Sequence, residues 1–543
     1  MEIGIDNIIP TYSGGLGVLA GDTIKSCADL EIPMIALTLL YRKGHFNQRL
    51  GRDGQQFEND EKWRPEDHME PLSFRTSVEI EGRKVVIRPW LYNYVGGSGF
   101  GVPILFLDAD MQENSSWDRS LNEHLYGGDQ RYRFAQEILL GIGGGRILEE
   151  MDCRPRKYHM NEGHASLLTL ELLSRTANHG EFDREGVKKS CVFTTHTPVS
   201  AGHDIFDHEL VSRMLGNEYS DAILKELGGF VKFNMTKLAL NLSAYVNGVA
   251  KKHGEISRKM FPGYEIESIT NGVHTSTWLS ESMGELFENY IPGVKNDPFS
   301  LRRALAIPSE KIMEAHSKAK RELLRFVNEE REGSLQEDNF TVGFARRATE
   351  YKRPTLIFSD LKRLRTMDRR IFPIQFVFAG KAHPRDLPGK GLIRSIYSIR
   401  EELGKDIPVE YIENYDMDIA KLLVSGVDLW LNTPQRPLEA SGTSGMKAAL
   451  NGVPSLSIPD GWWIEGCIEG LTGWSIGSTD RIGISDRIDA EDLYDKLEGS
   501  VLPLYKTDQE AWADIMKHTI AINGSYFNTH RMVREYVQNA YLD

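Results

Sequence analysis

Two stretches of this 543-residue chain concentrate side chains that could do chemistry on an anion. Phe344–Arg353 (FARRATEYKR) brings Arg346, Arg347, Lys352 and Arg353 together in an otherwise acidic protein. Arginine forks and lysine point charges both suit phosphate oxygens, although a solvated charged turn has the same composition. Arg436–Gly452 (RPLEASGTSGMKAALNG) offers a loop of small residues, Ala440–Gly445, whose amides are free. A helix is expected to follow over Met446–Leu450, with Thr443 or Ser444 as its cap. Helix starts attract anions, and Lys447 stands in the first turn. It is either an ordinary solvated lysine or an amine that condenses with a carbonyl cofactor whose phosphate rests on the loop. A third stretch, Ser13–Asp22 (SGGLGVLAGD), matches G-x-G-x-x-A from Gly15 to Ala20. No clear strand precedes it and no acid follows at ribose distance, so it reads as tight packing or a phosphate or sugar loop before a dinucleotide fingerprint.

Strands must position these segments. Short apolar runs bounded by Gly, Pro or polar residues read as buried parallel strands at 34–40, 85–87, 104–107, 192–194 and 266–269. A second series lies at 341–345, 374–378, 409–412, 428–431 and 455–458. Helical pattern intervenes, as in 318–331 with Leu323, Leu324 and Val327 on one face, and 329–339 reads as a loop before a fresh strand. The cationic segment directly follows 341–345, so it should emerge at a sheet edge where α/β folds bind ligands. Gly380-Lys381, after the next strand, adds a cation at that edge. The expected fold class is α/β, with two Rossmann-like domains facing a central cleft. The expected division is 1–272 and 273–543, with C-terminal helices free to pack back on the first domain.

Composition excludes several classes. With 40% hydrophobic and 26% charged residues the chain can bury more than one core. Lys+Arg of 64 against Asp+Glu of 78 gives −14, a surface that repels nucleic acid and anionic lipid but leaves room for a local basic pocket. Cys27, Cys153, Cys191 and Cys467 are scattered without a CxxC pair, so neither a disulfide framework nor a metal site is expected. No long apolar run suggests a membrane span, and Met1–Asp6 has no basic stretch leading into one. A cytoplasmic location is expected.

The sequence resembles the α-glucan (glycogen, starch, maltodextrin) phosphorylases, in their short microbial branch, over nearly its whole length. The anchors are PTYSGGLGVLAGD (10–22), HMNEGH (159–164), TTHTP (194–198), VNGVAKKHGEIS (247–257), ITNGVH (269–274), RRATEYKRP (346–354), GKAHPRD (380–386), ENYDMDIA (413–420) and EASGTSGMKAALNG (439–452). The resemblance implies a GT-B type architecture, pyridoxal 5′-phosphate as cofactor, and α-glucan and inorganic phosphate as substrates. It implies release of α-D-glucose 1-phosphate with retention, by a homodimer. Lys447 would hold the cofactor, with Arg346, Thr443, Ser444 and Gly15 near its phosphate and Tyr415 beside its ring. Arg347 and Lys352 would bind substrate phosphate, assisted by the amides of Gly14 and Gly15. Glu439, Ser441 and Gly442 would bind glucose hydroxyls; His196 and Asn271 would reach the 6-hydroxyl, and the His196 carbonyl would face the oxocarbenium-like transition state.

The chain departs from the better-known animal and plant enzymes at Arg346 (there lysine), Thr349 (histidine), Asp416 (arginine) and Gly445 (asparagine). It also lacks their N-terminal regulatory extension, so phosphorylation or nucleotide control is not expected. Two other classes compete. Nucleotide-sugar glycosyltransferases often carry paired glutamates at the places held here by Glu439 and Lys447, and an ammonium cannot accept hydrogen bonds from ribose hydroxyls. A catalytically dead glucan-binding relative would be expected to lose Lys447 or the Arg347–Lys352 pair, and all three are present.

Overall fold

Phe340–Ala345 and Ile374–Ala379 are buried at every position, as strands covered on both faces must be. In the computed structural model, which describes all residues except 178–181, 217, 332, 478–484 and 543, they lie inside a six-stranded parallel sheet. Its spatial order is Val409–Ile412, Ile374–Ala379, Phe340–Ala345, Leu429–Asn432, Ser455–Ser457, Gly473–Ser475. Counted along the chain this is 3-2-1-4-5-6, the doubly wound order, and the direction of winding reverses between Phe340–Ala345 and Leu429–Asn432. Asp428 pins that junction from below: it accepts the Thr341 amide at 2.8 Å, Lys320 Nζ at 2.7 Å and His316 Nε2 at 3.0 Å. Lys320 and His316 come from the helix Ser309–Arg331. That helix starts nine residues before the expected 318–331 and ends with it at Arg331, so it includes the first three residues of 329–339.

This sheet belongs to one of two compact units, formed by Asn47–Asn59 and Asn271–Arg531. The other comprises Met1–Phe46, Asp60–Thr270 and the chain from Met532 onward. Relative to a simple division near 272, the hairpin 47–59 groups with the second half and the C-terminal segment with the first.

The first unit is not a second copy of the doubly wound sheet. Its described strands divide among a four-stranded parallel sheet, ordered Glu267–Ser268, Tyr245–Gly248, Cys191–Thr194, Tyr158–Asn161, a mixed five-stranded sheet, and the antiparallel pair Ile205–Phe206 and Phe233–Asn234. In the five-stranded sheet, Ala36–Leu39 runs parallel to Gly101–Asp108, while Arg83–Val95 pairs antiparallel with it through a tight turn at Gly96–Phe100. Tyr158–Asn161 and Tyr245–Gly248 escape an apolar-run search because polar residues, His159 and Asn161 in one and Asn247 in the other, interrupt their buried Met160 and Val246. His159 Nε2 meets Thr194 Oγ1 at 2.7 Å, Thr194 Oγ1 donates to Asn247 Oδ1 at 2.8 Å, and Asn247 Nδ2 donates to the Tyr536 hydroxyl at 3.0 Å. Burial holds His159 down to about 4, so this row stays neutral near pH 7. All four cysteines are free thiols, and among the described residues no helix is long and apolar enough to cross a membrane.

Candidate functional site

Arg346 leaves the end of Phe340–Ala345 beside the point where the sheet reverses its winding. Its guanidinium donates to Asn432 Oδ1 at 2.9 Å, on the neighbouring strand end, and pairs with the Glu439 carboxylate at 2.9 Å. Lys352, at the end of the short turn Glu350–Lys352, pairs with the same carboxylate oxygen and lies 4.5 Å from the centre of the Tyr351 ring. Burial opposes ionisation of Glu439, but Arg346 and Lys352 more than compensate and hold its carboxyl below the usual range. The cationic segment and the small-residue loop, separate in the sequence, therefore meet in one buried cluster.

The four cations have different duties. Arg353 is structural: at φ +47°, it donates to the Thr433 and Pro434 carbonyls and pairs with Asp486 and Asp489. Arg347 is exposed, and its guanidinium makes no hydrogen bond or ion pair with any described residue. It lies near His383, whose imidazole is held below its ordinary value by burial first and then by the cations Arg385 and Arg347. Of these four cations, Arg347 alone makes no ion pair with a described residue.

The helix after the small-residue loop runs Ser444–Leu450, two residues longer at its start than its sequence suggests. Thr443 occupies the cap position, but at φ −90°, ψ −13° it is already helical and its side chain makes no capping bond. Ser444 does not cap either; its Oγ accepts from Trp430 Nε1 at 3.2 Å. Lys447 is buried, with Nζ 3.4 Å from the centre of the Trp278 ring. Tyr415 packs on the apolar cluster that contains Ala448 and Ala345, and its hydroxyl is pushed well up by burial, with Arg346 opposing. Gly442 has φ +81° and faces the Glu439 side chain, where a Cβ would stand 3.3 Å from Glu439 Cγ. Ser441 Oγ is buried without a hydrogen-bond partner, as is Asn271 Oδ1, while Arg531 Nη2 donates to the Asn271 carbonyl at 3.0 Å.

Sequence reasoning missed the segment that holds this loop. Asp460 accepts the Glu439 amide at 2.9 Å and the Gly461 amide at 3.0 Å, and the Trp462 amide donates to the Ser441 carbonyl at 2.9 Å. Burial, with Glu439 nearby, pushes the Asp460 carboxyl up to about 7, against the opposing amide bonds and Lys352. Pro459-Asp460-Gly461, directly after a buried strand, was the available signal.

In the first unit, Gly15 begins the helix Gly15–Asp29 with Gly14 at its cap, and a Cβ on either would meet nothing within 4 Å. The Gly14 amide is already engaged. Glu2 Oε2 accepts the Ser13 amide at 2.6 Å and the Gly14 amide at 3.3 Å, while Oε1 accepts the Tyr126 hydroxyl at 2.8 Å. His196 is held from two sides: its amide donates to Glu162 Oε2 at 2.7 Å and its Nε2 to Asn161 Oδ1 at 2.5 Å. Burial brings its imidazole down to about 3, so the ring is neutral at physiological pH. Glu162 also accepts the Thr197 hydroxyl at 2.9 Å, and it has φ +71°, a strained conformation for a non-glycine residue.

Residues 12–84 and 222–469 match the family model for carbohydrate phosphorylase. Those segments contain every site residue named from the sequence except His196. The chain is 41% identical to a maltodextrin phosphorylase of Thermococcus litoralis, over all of this chain and 70% of that protein. It is 37% identical to a glycogen phosphorylase of Mycobacterium tuberculosis, with the same coverage. A glycogen phosphorylase of Aquifex aeolicus is 35% identical over 99% of this chain and 85% of its own length.

Proposed function

The chain belongs to the carbohydrate phosphorylase family, and on that premise we propose that it cleaves the terminal α-1,4 bond of an α-glucan with inorganic phosphate, releasing α-D-glucose 1-phosphate with retention. The observation that carries this reading is the cluster of Arg346, Lys352 and Glu439 at the reversal point of the sheet, with Arg347 exposed and unpaired beside it. We propose a GT-B type fold, resting on the doubly wound sheet of the second unit.

The loop fits pyridoxal phosphate as cofactor. Lys447 offers a buried primary amine against an indole face, and the Thr443 side chain is not spent on capping. Lys447 would hold the group, with Thr443, Ser444 and Arg346 towards its phosphate and Tyr415 towards its ring. When bound, it supplies a phosphate able to exchange a proton with the substrate phosphate.

The chain's own residues do the rest. Arg347 binds the incoming phosphate dianion as a fork, and Lys352 adds a point charge once its partner carboxylate turns to substrate. Glu439 has two duties: it neutralises Arg346 and Lys352 before substrate arrives, then accepts glucose hydroxyls whose protons replace those cations as its partners. Ser441 and Gly442 complete the sugar contact, and Asn271 directs its unpaired Oδ1 at a hydroxyl. In the first unit, the Gly15 amide at the start of its helix is assigned to an anion, and Gly14 contributes space instead of an amide while Glu2 occupies it. His196, neutral and fixed by Glu162 and Asn161, presents its carbonyl dipole to developing positive charge.

A nucleotide-sugar transferase is disfavoured by the buried ammonium of Lys447 at a ribose-carboxylate position. Maltoheptaose incubated with and without phosphate separates the two: phosphate-dependent glucose 1-phosphate supports the proposal. Release of nucleoside diphosphate from a nucleotide-activated glucose, with no phosphorolysis, would overturn it.

A further inference from the structure

The hairpin Asn47–Leu50/Gln56–Asn59 is too short to be stable alone. Its flanking chain belongs to the first unit, yet the hairpin itself belongs to the second. What it offers there is a pair of buried amides. Gln48 and Gln56 are diagonal neighbours on one face of the hairpin, since Gln48 pairs with Glu58 and Leu50 with Gln56.

Most of their side-chain hydrogen bonds are directed at main chain. Gln56 Nε2 donates to the Ala382 carbonyl at 2.8 Å and to Glu58 Oε1 at 2.7 Å; its Oε1 accepts the Ala382 amide at 3.0 Å and Gln48 Nε2 at 2.8 Å. Gln48 Nε2 also donates to the Gly380 carbonyl at 3.0 Å, and its Oε1 accepts the Asn414 amide at 2.9 Å. Asn414 returns the contact, accepting the Gln48 amide on Oδ1 at 3.0 Å. Outside this core, Glu413 accepts Arg49 Nη1 and the Leu50 amide, each at 2.8 Å. Only a carboxamide can donate and accept in this way at both positions.

Both gripped turns border the proposed site. Gly380, at φ +146°, packs so closely on Arg346 that a Cβ would stand 1.9 Å from the Arg346 carbonyl oxygen. The Arg346 amide donates to the Ala379 carbonyl and the Ala348 amide to the Lys381 carbonyl, so 379–381 is the floor under Arg346–Ala348. Asn414, held at φ +54°, directly precedes Tyr415. We propose that Gln48 and Gln56 are positioning residues: the hairpin amides fix the floor beneath Arg346 and Arg347 and the backbone before Tyr415, and so set the geometry for phosphate without touching it.

The test uses the full chain and compares Gln56→Glu and Gln48→Glu, which keep shape but remove a donor, with Arg49→Ala, which breaks only an exposed contact of the same hairpin. Hydrogen exchange of the folded proteins should rise in peptides covering 47–59, 344–353, 379–386 and 412–416 in both glutamate variants, with the remaining peptides and the Arg49→Ala protein unchanged. The inference rests on the phosphorylase reading for its kinetic arm only: KM for phosphate should rise about fivefold or more while KM for glucan stays within about twofold. Unchanged exchange in those peptides, or exchange rising throughout the second unit, would overturn the positioning role. Absence of phosphorolysis in the unaltered protein would sink the functional reading instead, and the exchange pattern would still decide this one.

Discussion

Lys352 and Glu439 close on each other in a buried ion pair, and Arg346 reaches the same carboxylate oxygen at 2.9 Å. A cationic segment and a small-residue loop that lie far apart in the sequence thus share one charge balance. Replacing Glu439 by Gln should disturb both. A charge-assisted hydrogen bond is worth about 1.5–3 kcal/mol, so kcat/KM should fall roughly tenfold or more for glucan. KM for phosphate should also change, because Arg346 and Lys352 lose their counter-charge. Initial rates over a grid of both substrates check this; a purely glucan-side effect would separate the two loops again.

Asp460 gives a pH signature. Its carboxyl is raised to about 7 in the folded protein and returns to about 3.9 on unfolding. The folded state therefore binds the extra proton, so the stabilisation is fully present below about pH 4 and is lost as pH rises through about 7. Urea midpoints measured from pH 4.5 to 8 should fall less steeply with rising pH in Asp460→Asn than in the unaltered chain. Parallel curves would show that Asp460 does not carry the proton.

Asp428 predicts the opposite slope at lower pH. Burial opposes its charge, yet Lys320 and His316 hold it down to about 2, below its value in the unfolded chain. Its contribution is present above about pH 4 and lost as pH falls towards 2. Lys320→Met leaves that carboxylate buried beneath the first and fourth strands with one partner fewer. A loss of about 3–5 kcal/mol is expected, read as a drop in the urea midpoint. A change under 1 kcal/mol would remove this pair from the account of the sheet.

Much of the second unit was legible because its strands are apolar on both faces and its helices carry one-sided patterns. The strands 341–345, 374–378, 409–412 and 455–458 fall within two residues of their observed ends for that reason. Gly473–Ser475 and the strands of His159 and Asn247 lay outside that signal, since these two side chains are satisfied by hydrogen bonds to Thr194 and not by hydrophobic contact. The site was legible as residue types but not as pairings. Nothing in Arg346, Lys352 and Glu439 says that they neutralise one another, and nothing in Glu2 says that it caps the glycine loop. The Gln48–Gln56 pair was invisible because its partners are main-chain atoms more than 300 residues away.

Lys447→Ala should fold normally and fail to retain pyridoxal phosphate at one per chain. Near-ultraviolet absorbance after dialysis against the cofactor checks the content, and Trp278 emission should shift as the ammonium leaves its ring face. Full cofactor retention and full activity in that variant would remove Lys447 from the site.

Arg347 is the exposed cation of 346–353 without an ion-pair partner among the described residues. Labelled inorganic phosphate incubated with maltooligosaccharide should pass into a sugar phosphate in the unaltered protein, with KM for phosphate raised and turnover lowered together in Arg347→Ala. Arg347→Lys should recover part of the loss, since an ammonium cannot reproduce the fork. Release of unlabelled free glucose at a rate independent of phosphate, unchanged in Arg347→Ala, would contradict phosphate as co-substrate.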